Sequence, residues 1–348
     1  METTPMNEDR LTQAAESLER QLEADAPNIP ADMRRKLANI GALARAQAAD
    51  STPSHPETRK KTAKILQFPL PFGEDTRAVS NPLARCALFA PVKERQYFRD
   101  YVTVGEVDGM KIEIKGEQFT QDDQDVLIQF FAMANNSAIG DNIFLRVNQI
   151  LRGLGRGNHK SQRKQLFAEI DRLATTPVRF TPKGRPSTVG NFLDVASTPQ
   201  EQQVLPEFRR HISFRFNPEF LGFFDAAFYT LFDYKDRLKL KGRGSEFAKW
   251  LHLLIIGNAE QYAYKVETLH EKSGSKDKTL YSFRQKLRQA LTLLKEAGII
   301  TAWRIDEADL VHIERTPSPS QQKHLAKKAR KPRAKSQPRG LKKAQDYI

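Results

Sequence analysis

Lys278-Thr-Leu-Tyr-Ser-Phe-Arg-Gln-Lys-Leu-Arg-Gln-Ala-Leu-Thr-Leu-Leu-Lys-Glu-Ala-Gly298 is the stretch on which the fold turns. Leu280, Phe283, Leu287, Ala290, Leu291 and Leu294 recur at helical spacing and define one buried stripe. Gly298 stands in the C-cap place and ends a helix over Lys278–Ala297. At 100° per residue the opposite face receives Lys278, Tyr281, Ser282, Gln285, Arg288 and Gln289, with no carboxylate before Glu296. A solvated surface helix normally interleaves Glu with Lys. Cations, amides and hydroxyls alone suit a helix lying in an anionic groove, where Arg pairs with guanine, Gln with adenine, and Lys and Ser hold phosphate. With the flanking Lys276 and Arg284, these residues are the candidate DNA contacts of this region.

Working outward, Tyr262–Val266 reads as a strand, Glu267–Lys272 as a short helix and Ser273-Gly274-Ser275 as a turn. Strands Ile299–Ile305 and Leu310–Glu314 follow the long helix, joined across Asp306–Asp309. Strand, short helix, turn, long helix, hairpin is the order of a winged helix-turn-helix. A long helix over Gly244–Ile256, a strand near Thr230–Tyr234, a short helix from Pro218 and a strand Ile212–Phe216 precede it.

The same order occurs upstream in different letters. Strand Ala87–Ala90 leads to a hairpin, Tyr101–Val107 and Lys111–Lys115, turning at Asp108-Gly109. Thr120 to Asp123 resembles a capping box that opens an apolar helix through Ala134, with Asp122 and Asp123 as helix-start charges. Strand Phe144–Val147 and a short helix from Asn148 precede a helix over His159–Ala174, which Pro177 stops; strands Val178–Phe180 and Asn191–Val195 follow. Asn158, His159, Lys160, Ser161, Arg163, Lys164 and Gln165 crowd the first turns of that helix, whose free amides favour phosphate. Arg179, Lys183 and Arg185 are expected on the adjoining wing. The expected architecture is α+β: two tandem winged-helix domains, 81–204 and 205–315, with flexible N- and C-terminal extensions. An α+β fold of similar element order is the alternative.

Composition sets the class. The chain has 348 residues, 56 Lys+Arg against 42 Asp+Glu, and a formal net charge of +14. The charge is uneven: residues 315–348 hold 11 basic residues and only Asp346 as an acid, whereas residues 1–80 hold 11 basic and 12 acidic. The prolines and lysines of 316–348 predict a disordered basic tail that attracts polyanions or merely keeps the chain soluble. The first 80 residues hold two helix-like stretches, Glu8–Glu23 and Ala31–Ala49, and linker composition between Ala49 and Ala63. No apolar run approaches the ~20 residues of a membrane span, and the acidic start predicts no signal peptide. A cytoplasmic protein is expected.

Enzyme motifs fail one by one. Cys86 is the single cysteine, which excludes a disulfide framework and a multi-thiolate metal site. Gly153-Leu-Gly-Arg-Gly-Asn-His-Lys160-Ser161 has the wrong spacing for a phosphate-binding loop. None of the seven histidines stands two residues from another, as a metal-dependent nicking centre requires. No catalytic residue, metal or cofactor is expected.

Asn81-Pro-Leu-Ala-Arg-Cys-Ala-Leu-Phe89, the segment Gln121–Asp141, and Leu294-Lys-Glu-Ala-Gly-Ile-Ile-Thr-Ala-Trp303 running to Asp309-Leu-Val-His-Ile-Glu314 resemble the TrfA-type replication initiators of broad-host-range plasmids, over about 81–314. The resemblance implies binding to repeated origin sites (iterons), melting of nearby A/T-rich DNA and recruitment of host replication proteins, among them the replicative helicase and the host initiator. It also implies homodimers that become monomers to act. Such proteins carry a Gln-Leu-x-Leu-Phe peptide for the bacterial sliding clamp just upstream of the core. Here that place reads Gln67-Phe-Pro-Leu-Pro-Phe72, so the resemblance gives Gln67, Leu70 and Phe72 as clamp-binding residues. Phe68 and the two prolines depart from the pattern, and an apolar strand docking on the protein's own core is the other reading. Two further functions fit the fold: a sequence-specific transcriptional repressor, and a clamp- or helicase-binding adaptor without DNA specificity.

Overall fold

The computed structural model describes residues 73–330, except 74, 108, 135–136, 138–139, 197–203, 206–207, 219–228 and 261. Strand β1 (Thr76–Ser80) and the one-turn helix α1 (Asn81–Ala84) lead into β2 (Phe89–Ala90). A hairpin of β3 (Tyr97–Val107) and β4 (Met110–Glu117) comes next, with Val107 facing Met110 across the expected Asp108-Gly109 loop. Strand β5 (Phe119–Thr120) opens helix α2 (Gln121–Met133), where the Thr120 N–H donates to Asp123 Oδ2 at 2.7 Å, as the capping-box spacing requires. Strand β6 (Ile143–Arg146), helix α3 (Val147–Gly153), helix α4 (Lys160–Thr175) and strands β7 (Val178–Pro182), β8 (Thr188–Gly190), β9 (Leu193–Ala196) and β10 (His211–Phe216) complete a first core. Its centre is aromatic: Phe130 and Phe131 of α2 stack on Phe214 and Phe216 of β10 with ring centroids 4.3 and 4.4 Å apart.

That packing relocates one strand. The sequence reading gave Ile212–Phe216 to the second unit, yet β10 lies between β6 and β9, antiparallel to both, and buries Ile212, Phe214 and Phe216 in the first core. Local alternation fixes which side chains point inward but not which sheet receives them.

After β11 (Tyr229–Asp233) and helix α5 (Tyr234–Lys239), a second core is built from helix α6 (Ser245–Ile256), strand β12 (Tyr264–Lys265), helices α7 (Val266–Ser273) and α8 (Leu280–Glu296), and strands β13 (Ala302–Ile305) and β14 (Leu310–Glu314). The apolar stripe lands as its spacing dictates: Phe283, Leu287, Ala290, Leu291 and Leu294 are buried against Trp250, Leu254, Ile300 and Val311. Thr279 caps α8, its hydroxyl accepting from the Ser282 N–H at 3.2 Å.

The two cores share a connectivity. Elements α2-β6-α3-α4-β9-β10 and α6-β12-α7-α8-β13-β14 run in the same order, and in each three-stranded sheet the last strand is central, β6-β10-β9 and β12-β14-β13. The first core carries an insertion that the second lacks: β7 and β8 leave the sequence between α4 and β9 to extend the β3-β4 hairpin into a four-stranded sheet, β3-β4-β7-β8.

A third cluster joins the cores, with Val79, Ala84, Ile128, Phe232, Tyr234 and Leu253 buried together. Strand β1 pairs antiparallel with β11, Thr76 opposite Asp233 and Ser80 opposite Tyr229. The Trp250 indole donates to the Cys86 carbonyl at 3.2 Å. Beyond the second core, helix α9 (Pro319–Arg330) forms where composition suggested an unordered tail. Its first turn is tied down by Gln321, which donates to the Ile256 carbonyl at 2.7 Å and accepts from Arg315 at 2.9 Å. The stretches 8–23 and 31–49 lie outside the described residues.

Candidate nucleic-acid interface

Helix α8 presents the face its sequence outlines. Lys278, Tyr281, Ser282, Gln285, Arg288 and Gln289 are exposed, as is Lys276 in the preceding turn. Tyr281 keeps 67% of its surface in solvent, a high exposure for an aromatic side chain. One flank of this face borders a cleft of about 510 Å³ whose walls carry Lys93, Arg243, Lys276 and Lys286, with Ser282 and Gln285, alongside the carboxylates Glu94 and Glu246. Lys93 and Arg243 reach the cleft from segments far from α8 in sequence, which is why periodicity along one helix could not reveal them. Lys286 is bound to Asp277 at 2.7 Å, and this pair, with the Ser275 hydroxyl, holds Asp277 below the usual carboxylate range against the opposing effect of partial burial.

Arg284 differs from its neighbours. Its guanidinium forks onto the Asp309 carboxylate at the tip of the β13-β14 hairpin, Nε to Oδ1 at 2.9 Å and Nη2 to Oδ2. The sequence groups it with the DNA contacts; the structure engages it within the unit.

In the first core, Asn158, His159, Lys160, Ser161 and Lys164 are exposed at the start of α4, where His159 is the N-cap residue with no side-chain cap. Arg163 donates to Asn148 Oδ1 and Asn158 Oδ1, both at 2.9 Å, and to the Arg209 carbonyl. Gln165 turns back to Glu169 at 2.9 Å. A cleft of about 780 Å³ opens beside these residues, lined by Arg146, Asn148, Lys160, Phe208, Arg210 and His211, with no carboxylate in its described wall. The Lys160 ammonium sits 5.4 Å from the Phe208 ring centroid. Sequence reasoning missed Arg146, Phe208, Arg210 and His211. They arrive through the β6-β10 pairing, which sets His211 opposite Arg146.

Arg179, Lys183 and Arg185 stand elsewhere than expected. They lie on the inserted β7-β8 hairpin of the four-stranded sheet and not on the β9-β10 connection that corresponds to β13-β14. Arg179 stacks on Tyr101, 3.6 Å from guanidinium carbon to ring centroid, and faces Glu113 at 3.7 Å; Lys183 and Arg185 are exposed at the hairpin tip.

The cores are held in register by charges at the start of α2. Asp125 binds Arg237 and, at 2.7 Å, Lys249; Asp122 accepts from the same Lys249 at 3.3 Å. Asp123 binds Arg172 at 2.9 Å and Arg95 at 3.4 Å. These aspartates therefore do more than start a helix. Burial alone would raise the Asp125 pKa, but Arg237 and Lys249 override it and bring it down to about 2. Gln67, Leu70 and Phe72 lie outside the described residues. Among the described residues no helix is long and apolar enough to cross a membrane.

A family model described as TrfA protein matches residues 35–315. Two crystal structures of RctB are matched. The selenomethionine derivative of its domains 2 and 3 has a TM-score of 0.45 at 14% identity, over 67% of this chain and 97% of that one. RctB domains 2–3, residues 155–483, have a TM-score of 0.41 at 16% identity, over 62% and 83% of the respective chains. No curated protein matches the sequence.

Proposed function

The chain belongs to the TrfA family of plasmid replication initiators, and we propose that it binds repeated origin sites (iterons) through two tandem winged-helix units, one in each core. The observation that carries this reading is the recurrence of one connectivity, helix, strand, helix, helix and two strands with the last strand central, around two helices whose exposed N-terminal halves carry cations and amides. Helix α8 supplies base reading through Gln285, Arg288 and Gln289, with Lys276, Lys278, Tyr281 and Ser282 on the backbone. Helix α4 and its carboxylate-free cleft add contacts over a neighbouring groove through Asn158, His159, Lys160, Ser161 and Lys164. The buried polar joint between the cores favours a fixed spacing of the two units, so that DNA bends to engage both.

The mechanism is non-enzymatic: binding energy distorts the origin, an A/T-rich segment melts, and host proteins are recruited, the sliding clamp through Gln67, Leu70 and Phe72. The protein works in the cytoplasm on plasmid DNA, as a monomer released from a dimer. Footprinting of the full chain on its own plasmid, at about 150 mM salt to suppress non-specific attraction, tests the proposal. Protection of a cluster of direct repeats beside an A/T-rich stretch is expected. A single inverted repeat over a promoter would instead make it a repressor, and no footprint would leave only phosphate tracking.

A further inference from the structure

Arg284 and Arg163 occupy matching places. Arg284 is the fifth residue of α8 and Arg163 the fourth of α4, and each precedes by three residues the buried leucine of its helix, Leu287 or Leu166. Each reaches the chain just before the returning strand of its hairpin: Arg284 takes the Asp309 carboxylate next to β14, and Arg163 takes the Arg209 carbonyl just ahead of β10. We infer that Arg163 and Arg284 are positioning residues, latches that hold each wing against its reading helix, and that neither reads a base. The inference rests on the DNA-reading role proposed above and assigns these two arginines a different part in it.

The hairpin tip of the second core supports the assignment. Asp306 supplies the turn's own bonds, its Oδ1 accepting from the Ala308 and Leu310 N–H groups at 3.0 and 2.9 Å and its Oδ2 facing His312 at 2.7 Å. The turn therefore does not use the Asp309 carboxylate. Yet Asp309 is the non-glycine residue with left-handed φ, +58°, among the described residues. Asn and Asp both tolerate such a backbone, and what an aspartate adds over an asparagine there is the full carboxylate charge that receives Arg284. The Asp309 carbonyl also accepts from the Val266 N–H at 2.9 Å, so one residue links the wing, the sheet and the reading helix. In the first core the same guanidinium that holds the Arg209 carbonyl also binds Asn148 on α3 and Asn158 in the turn, joining all three parts of that unit.

The test uses the full chain and a random-sequence duplex pool from which wild-type protein selects its preferred sites. Arg284→Gln and Asp309→Asn are each expected to weaken binding to the selected duplex about tenfold, with the double variant no weaker than either single, the non-additivity of residues in one contact. The selected base pattern should persist, while hydroxyl-radical protection is lost only beside the wing. A changed preference at one base pair in Arg284→Gln but not in Asp309→Asn would make Arg284 a base reader and overturn the latch. If wild type selects no sequence, the DNA-reading role fails and the latch is judged on the free protein: both variants should speed amide exchange in residues 302–314, and Arg163→Gln in residues 211–216. Unchanged exchange would overturn it.

Discussion

Arg237, with 1% of its side chain exposed, closes on Asp125 of α2 and donates from the same guanidinium to Gln121 Oε1 at 3.0 Å and to the Lys249 carbonyl at 2.9 Å. One side chain thus satisfies three acceptors at the joint between the cores. Removing one partner of a buried pair leaves the other charge uncompensated, so Arg237→Met is expected to cost about 3–5 kcal/mol, read as a lowered urea midpoint. Asp125→Asn should cost a similar amount, because it leaves the buried Arg237 guanidinium without its carboxylate.

The same pair sets an acid limit. Because the folded-state pKa of Asp125 is depressed to about 2, its contribution is present above the unfolded value near 4 and is lost as pH falls from there through about 2. Urea midpoints of wild type should drop over that window more steeply than those of Asp125→Asn. Parallel curves would remove Asp125 from the acid response.

Gly274 ends α7 at φ +62°, and a Cβ there would stand 2.8 Å from the Ala87 Cβ of the first core. Gly274→Ala combines a left-handed penalty of about 1 kcal/mol with that collision. Ala87→Gly in the same chain should relieve the collision and leave the backbone penalty. A double-variant cycle by urea unfolding separates the two, and full additivity would mean the cores do not press together at this point.

The base reading proposed for α8 has a distinct signature. Arg288→Ala and Gln285→Ala are expected to reduce discrimination between matched and mismatched duplex by about 1–3 kcal/mol per lost bidentate contact while leaving binding to random duplex nearly unchanged. Equal loss on both duplexes would sink the assignment. Lys278→Ala should instead weaken both alike.

The tail divides at Arg330. Residues 331–348 carry six basic residues and one acid, whereas α9 is fastened to the second core through Gln321. Truncation after Arg330 is expected to flatten the slope of log K against log salt without lowering stability. Truncation after Glu314 should do both, since it also removes Arg315 and its bond to the Asn258 carbonyl at 2.8 Å.

What the letters disclosed was local. The stripe from Phe283 to Leu294, the Thr120 capping box, the Asp108-Gly109 hairpin and the exposed face of α8 all depend on neighbours within a few residues. What they withheld was tertiary. The partner of β10, the insertion carrying Arg179, and the cleft that draws Arg146 and His211 together depend on strands meeting across intervening chain, which period-two alternation does not encode. Arg163 and Arg284 illustrate the limit at a single residue. A cation on an exposed-looking helical turn reads as a ligand contact until Asp309 or the Arg209 carbonyl is found beside it.

Strand β1 has its partner in β11, on the far side of the entire first core. During synthesis, β1 leaves the ribosome long before Tyr229–Asp233 exists, and its hydrogen-bonding edge stays open until that segment emerges. Closing so long a loop is entropically slow. The first core therefore has time to condense alone, while the β1-β11 seam and the junction cluster behind it assemble late. A nascent chain stalled before β11 would carry an unpaired strand and bare Val79, a natural target for a chaperone.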